Sequence, residues 1–162
     1  MPKMNSLKDL FEDQLRVLFY SEKELKKVLS DVISQSSSDE LKDALEEHLD
    51  ETNSQIERLE EVFEKLDINA EVKKSTAMDG IVDEIEEIIN EDAKPGVKDA
   101  AIISEIQKAL HFKIACYGTL KTYARLLEYD DVVSLMRETV TEEKNSDKRF
   151  TEISEGVNQE AV

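Results

Sequence analysis

The stretch LFEDQLRVLFYSEKELKKVLSDVI, residues 10–33, decides the fold. Leu10/Phe11, Leu15, Leu18, Leu25, Leu29 and Val32/Ile33 recur at steps of three and four, the spacing that lines one face of a helix, and Glu22 breaks this seam once, near its middle. Ser6 and Asp9 stand ahead of it at capping spacing, so a helix is expected over about 6–34. The serine run 36–38 ends the pattern, and Ser37 with Glu40 predicts the cap of a second helix over 38–66. That helix has the seam Leu41, Ala44/Leu45, His48, Glu51/Thr52, Gln55/Ile56, Leu59 and Val62/Phe63. A connection this short makes the two helices antiparallel neighbours.

Beyond residue 66 the chain is polar and irregular, then carries a shorter amphipathic segment at about 77–91 that ends before Lys94, Pro95 and Gly96. Pro95 suits a first helical turn, and a third long helix is expected over 96–128 with the seam Ile103, Ile106, Leu110, Lys113, Tyr117, Leu120 and Ala124. Asp130 or Asp131 is the expected cap of a fourth, over 131–156, with the seam Val133, Met136, Val140, Glu143, Asp147 and Phe150; the tail NQEAV is expected to fray. Short, long, short connections between four long helices are the wiring of a ferritin-like bundle. The expected fold class is therefore all-α, a four-helix bundle with a helix-containing crossover, forming one domain over 1–162.

Composition agrees. Four Gly, two Pro and no Trp in 162 residues suit long helices with few turns. A single cysteine, Cys116, has no internal disulfide partner. No stretch resembles an apolar signal or a membrane span, so a cytoplasmic protein without membrane attachment is expected. The net charge of −17 repels phosphate backbones, which argues against a nucleic-acid partner. Nucleophile–base motifs, phosphate-cradling glycine loops and Cys-x-x-Cys pairs are absent, which leaves hydrolases, nucleotide-binding enzymes and zinc modules without support.

Each long helix breaks its seam near its midpoint: Glu22 in the first, His48/Glu51/Gln55 in the second, Lys113 in the third and Glu143/Asp147 in the fourth. Midpoints of antiparallel helices fall at one height, so these side chains are expected to form an internal polar layer in which acids from three helices face a base from the other. Buried carboxylates repel unless positive charge lies between them, and either metal ions or Lys113 would supply it. Glu22, Glu51, Glu143, Asp147 and His48 are the candidate metal residues. Tyr117 is the aromatic best placed to hydrogen-bond the layer. His111 lies beside the seam, and Gly118 is expected to permit close helix approach.

The runs YSEKEL (20–25), HLDETNSQIERL (48–59), AMDGIVDEIEEIIN (77–90), DAAIISEIQKALHFKIACYGTL (99–120) and ETVTEEKNSDKRFTEI (138–153) together resemble the YciE/YciF-like ferritin-superfamily stress proteins, in the same order and over nearly the whole chain. The resemblance implies a ferritin-like bundle, often a homodimer, tied to bacterial stress responses and to a rubrerythrin-type carboxylate metal centre that binds iron. Glu22, Glu51 and Glu143 match that family's inward acidic residues. The departure is in the third long helix: the family typically reads Glu-His-Tyr-Glu where this chain has Leu110, His111, Phe112 and Lys113. Ser54 and Ser146 also stand where the two-metal template needs a histidine three residues after each glutamate. The expected function is accordingly that of a stress-associated bundle with a divergent, metal-deficient centre in which Lys113 replaces a ligand glutamate. It would act as a dimer or by binding a protein partner, and its catalytic role is left open. The alternative is a rubrerythrin-type iron protein with redox or peroxide-related activity.

Overall fold

The computed structural model describes residues 4–162, which hold five helices and no strand: α1 (Leu7–Gln35), α2 (Asp39–Lys65), α3 (Thr76–Asn90), α4 (Pro95–Leu126) and α5 (Asp130–Glu160). Residues 1–3 of the expected domain lie outside the described residues. The four long helices form a ring in which α1 packs on α2, α2 on α5, α5 on α4 and α4 on α1, while α3 lies across α1 and α4. This is the all-α, four-helix arrangement with a helical crossover.

The ring follows from seams that repeat every three and four residues on each helix. The buried residues Phe11, Leu15, Leu18, Glu22, Leu25, Leu29 and Val32 form the seam of α1, and Leu41, Leu45, His48, Thr52, Gln55, Leu59 and Val62 that of α2. A mean step of 3.5 residues keeps such a stripe facing its neighbours along the whole length of a helix. Two apolar clusters result. One contains Leu25, Leu29, Leu41, Leu45, Ile106, Leu110 and Phe150, and the other Phe11, Leu15, Phe19, Leu59, Phe63, Leu120 and Met136. Each fully buried Leu or Phe contributes roughly 1.5–3 kcal/mol. The polar residues lie between these clusters.

The helix ends correct several expectations. Ser6 caps α1, its hydroxyl accepting from Asp9 N at 3.1 Å. Helix α2 is capped by Ser38 rather than Ser37, because the amides of Ser37 and Ser38 each donate at 2.8 Å to the buried carboxylate of Asp99 near the start of α4. Tyr129, without a side-chain cap, precedes α5, and Asp130 and Asp131 lie within its first turn, where they favour the positive end of the helix dipole. The last helix extends beyond its expected end at residue 156. Helix α5 runs to Glu160 because Val157 is buried and the Glu160 backbone lies so close to Gly96 that a Cβ there would stand 3.1 Å from its carbonyl oxygen. Gly118, by contrast, faces open space and serves no close helix approach.

Helices α2 and α4 end alike, with Asp67 (φ 52°) and Glu128 (φ 61°) in the left-handed region. In both, the next amide reaches back five residues, Ile68 N to Phe63 O and Tyr129 N to Ala124 O, a Schellman closure that glycine usually makes. A β-carbon in this conformation costs about 1 kcal/mol, and Glu tolerates it less well than Asp. Glu128→Gly is therefore expected to stabilise the protein by about 0.5–1 kcal/mol, seen as a higher urea midpoint with an unchanged slope.

Candidate functional site

Every long helix sends one side chain to the centre of the ring: Glu22 from α1, Gln55 from α2, Lys113 from α4 and Glu143 from α5, all fully buried. Lys113 Nζ donates to Gln55 Oε1 at 2.7 Å and to Glu143 Oε1 at 2.8 Å, and stands 3.0 Å from Glu22 Oε2. Tyr117, one turn further along α4, donates its hydroxyl to Glu22 Oε1 at 2.6 Å. On the other side Gln55 Nε2 donates to Glu142 Oε2 at 3.1 Å, and Arg58 grips both oxygens of Glu142 at 2.9 Å. The Gln55 amide is thus held from two sides, with its oxygen turned to the ammonium.

A single ammonium faces two carboxylates where water is excluded, so the charges are imperfectly balanced. Glu22 Oε2 makes a close ion-pair contact without the alignment of a hydrogen bond, and Glu143 Oε2 accepts none. Burial pushes the Glu22 carboxyl above its ordinary range, the Glu143 charge adds to the effect, and Lys113 and Tyr117 oppose it. Burial alone would depress the Lys113 ammonium, but attraction to Glu143 and Glu22 outweighs it and raises its pKa. The Tyr117 hydroxyl is raised well above its ordinary value by burial and by the adjacent Glu22 charge. These directions keep the lysine charged and the phenol protonated.

The other candidates do not join this layer. Glu51, expected to face inward, stands at the α2–α5 rim with its side chain 24% exposed, accepting from Ser146 Oγ at 2.6 Å, with His48 Nδ1 3.7 Å away. Its pKa is lowered: burial raises it, but the interactions with His48 and Ser146 prevail. The reason is rotation, since Thr52 and Gln55 carry the α2 seam and Glu51 lies one position off it. His48 is on the seam and buried, yet neither ring nitrogen has a hydrogen-bond partner; its ring meets Phe150 edge-on. Asp147 points to the α4–α5 edge, accepting from Gln107 Nε2 at 3.1 Å with His111 Nε2 also 3.1 Å away, because Ser146 rather than Asp147 continues the α5 seam. Arg58 and Glu142 were not legible as members of the network, because both flank their seams, and Ser146 was not legible as the partner of Glu51, because it has no charge to draw notice. Cys116 is partly buried, and burial, with the Glu22 charge, pushes its thiol up to about 11, which disfavours the thiolate.

A two-metal carboxylate centre takes a glutamate from each of two helices and a Glu-x-x-His pair from each of the other two. The side chains present do not fit it. The ammonium of Lys113 stands between Glu22 and Glu143, the two acids that meet at the centre, α4 supplies no acid there, and among the described residues no three His, Cys, Asp or Glu side chains converge in a metal-holding group.

Residues 6–162 match the model of a family described as a domain of unknown function, DUF892. The chain is 37% identical over 153 residues to protein YciF of Escherichia coli K12, covering 93% of this chain and 92% of that one. The crystal structure of the E. coli stress protein YciF superposes with a TM-score of 0.93 at 35% identity, covering 96% of this chain and 99% of that one. YcfI of Rhodopseudomonas palustris gives a TM-score of 0.89 at 35% identity, over 93% and 96% of the two chains. A Xanthomonas campestris protein shares the fold at 20% identity, with a TM-score of 0.71 over 94% and 93%.

Proposed function

Because the chain belongs to the DUF892 family and is a relative of the E. coli stress protein YciF, we propose that it is a stress-associated ferritin-like bundle that works without a metal centre. In this reading Lys113 is a fixed internal counter-ion, and the protein acts through its folded surface, as a homodimer or as a module that binds a protein partner. The observation that carries the reading is the Lys113 ammonium, fully buried and within 3.0 Å of both Glu22 and Glu143. A tethered cation at that point repels a dication and removes the need for one. The unpartnered nitrogens of His48 beside Glu51 are what favours the alternative, an iron-binding protein with redox or peroxide-related activity.

Iron loading separates the two. Protein purified without chelator, offered ferrous iron in air and desalted, is expected to retain far less than one iron per chain by elemental analysis. Lys113→Glu, which gathers three acids at the centre, is expected to melt lower when metal-free. Added iron should raise its stability, by about 2.7 kcal/mol at a hundredfold excess over the dissociation constant. Stoichiometric iron in the unsubstituted protein would sink the metal-independent reading.

A further inference from the structure

Helix α3 is an addition to a ring that closes without it. It packs mainly on α1 and α4, and its buried residues are Met78, Ile85 and Ile89, which join the apolar cluster containing Val28, Val32, Ile102 and Ala109. Irregular chain flanks it on both sides, residues 66–75 and 91–94. Three polar latches hold it, spaced five residues apart along its length. Asp79 accepts from Tyr20 of α1 at 2.6 Å and pairs with Lys74 at 3.0 Å. Glu84 pairs with Lys108 of α4 at 2.9 Å, and the Ile89 carbonyl accepts from Lys98 of α4 at 3.1 Å. Lys74 and Glu84 are largely exposed and Lys108 is half-exposed, so their pairings are open to screening.

We propose that α3 is a releasable flap: it lifts from the α1–α4 groove as one unit while the four-helix ring stays folded, baring an apolar groove that the closed molecule hides. The physical basis is the contrast in anchoring. Each long helix buries a seam along its whole length and places a side chain in the central polar layer, whereas the 15-residue α3 buries only Met78, Ile85 and Ile89 and has no member in that layer. Its leading connection is tied to α1 where Lys73 meets Asp13 and the Arg16 carbonyl, ahead of the helix itself. Elements held in this way open sub-globally, below the free energy of complete unfolding. Salt acts on the latches and leaves the central ion pairs, which are shielded from solvent, little changed.

Native-state hydrogen exchange of the full chain, read by mass spectrometry, tests this. Peptides spanning residues 78–90 are expected to exchange about a hundredfold faster than peptides from the centres of α1, α2, α4 and α5. Asp79→Asn is expected to speed α3 alone by a further factor of about three to ten, and Glu84→Gln to do the same more weakly. Raising sodium chloride to about 1 M, where the screening length is about 3 Å, should narrow the gap between wild type and these variants. An apolar dye should bind the Asp79→Asn protein more strongly while the helical signal of the ring persists. Exchange of α3 in step with the long helices, or an Asp79→Asn effect spread evenly over all five helices, overturns the proposal.

Discussion

Lys113→Met is expected to cost about 3–5 kcal/mol of stability, the usual range when one partner is removed from a buried ion pair. The methionine fills nearly the same volume, so the loss is electrostatic. Glu22 and Glu143 are left fully buried and facing one another, and Gln55 loses the donor to its oxygen. Urea unfolding at neutral pH reads the effect directly. Adding Glu22→Leu and Glu143→Leu to Lys113→Met removes the stranded charges and is expected to recover most of the loss. Recovery stops short of a gain, because Tyr117 and Gln55 each keep a buried polar atom without a partner, at about 1–3 kcal/mol apiece. A Lys113→Met protein as stable as wild type would show that the layer is not an interlocked ionic unit.

Glu22→Gln is expected to become progressively more stable relative to wild type as the pH rises from about 4.5. Burial first, and then the Glu143 charge, raise the folded-state pKa of Glu22 above its ordinary 4.5. The stability linked to this group is therefore complete below its unfolded value and is lost as pH climbs through the folded one. Between the two, the folded protein holds a proton that the unfolded chain has released, so wild type falls by about 1.4 kcal/mol per pH unit. The amide has no proton to lose and follows a flatter course. Lys113, raised above 10.5, contributes stability that is lost only beyond that value, outside this window. Glu51, Asp79 and Glu84 have lowered pKa values and act in the opposite sense, losing their contribution as pH falls, but they are common to both proteins and cancel in the difference. Thermal unfolding of the pair across pH 5–9 checks the trend; parallel curves would contradict it.

The fold was legible because seam and connections agree. Steps of three and four in α1, α2, α4 and α5, with one long connection between two short ones, leave few ways to close four helices. The centre of the site was legible for the same reason: Glu22, Lys113 and Glu143 lie on their seams and meet. What the sequence concealed was rotation by a single position. At Glu51 and Asp147 a charged residue sits beside a seam continued by the less conspicuous Thr52 and Ser146, and acid content drew attention where phase should have. Caps failed differently. Ser37 and Ser38 both suit a cap, and the choice between them is made by Asp99, a residue 62 positions away from Ser37 that no local pattern connects to the serines.

That long-range cap sets an order of assembly. The first hairpin leaves the ribosome with two amides of its turn open to water, and the carboxylate that closes them arrives only with the start of α4. The α1–α2 pair can collapse early on its apolar seam, yet its turn becomes fixed only once the start of α4 has been made and docked. Closure of the first corner thus waits on a residue of the third long helix.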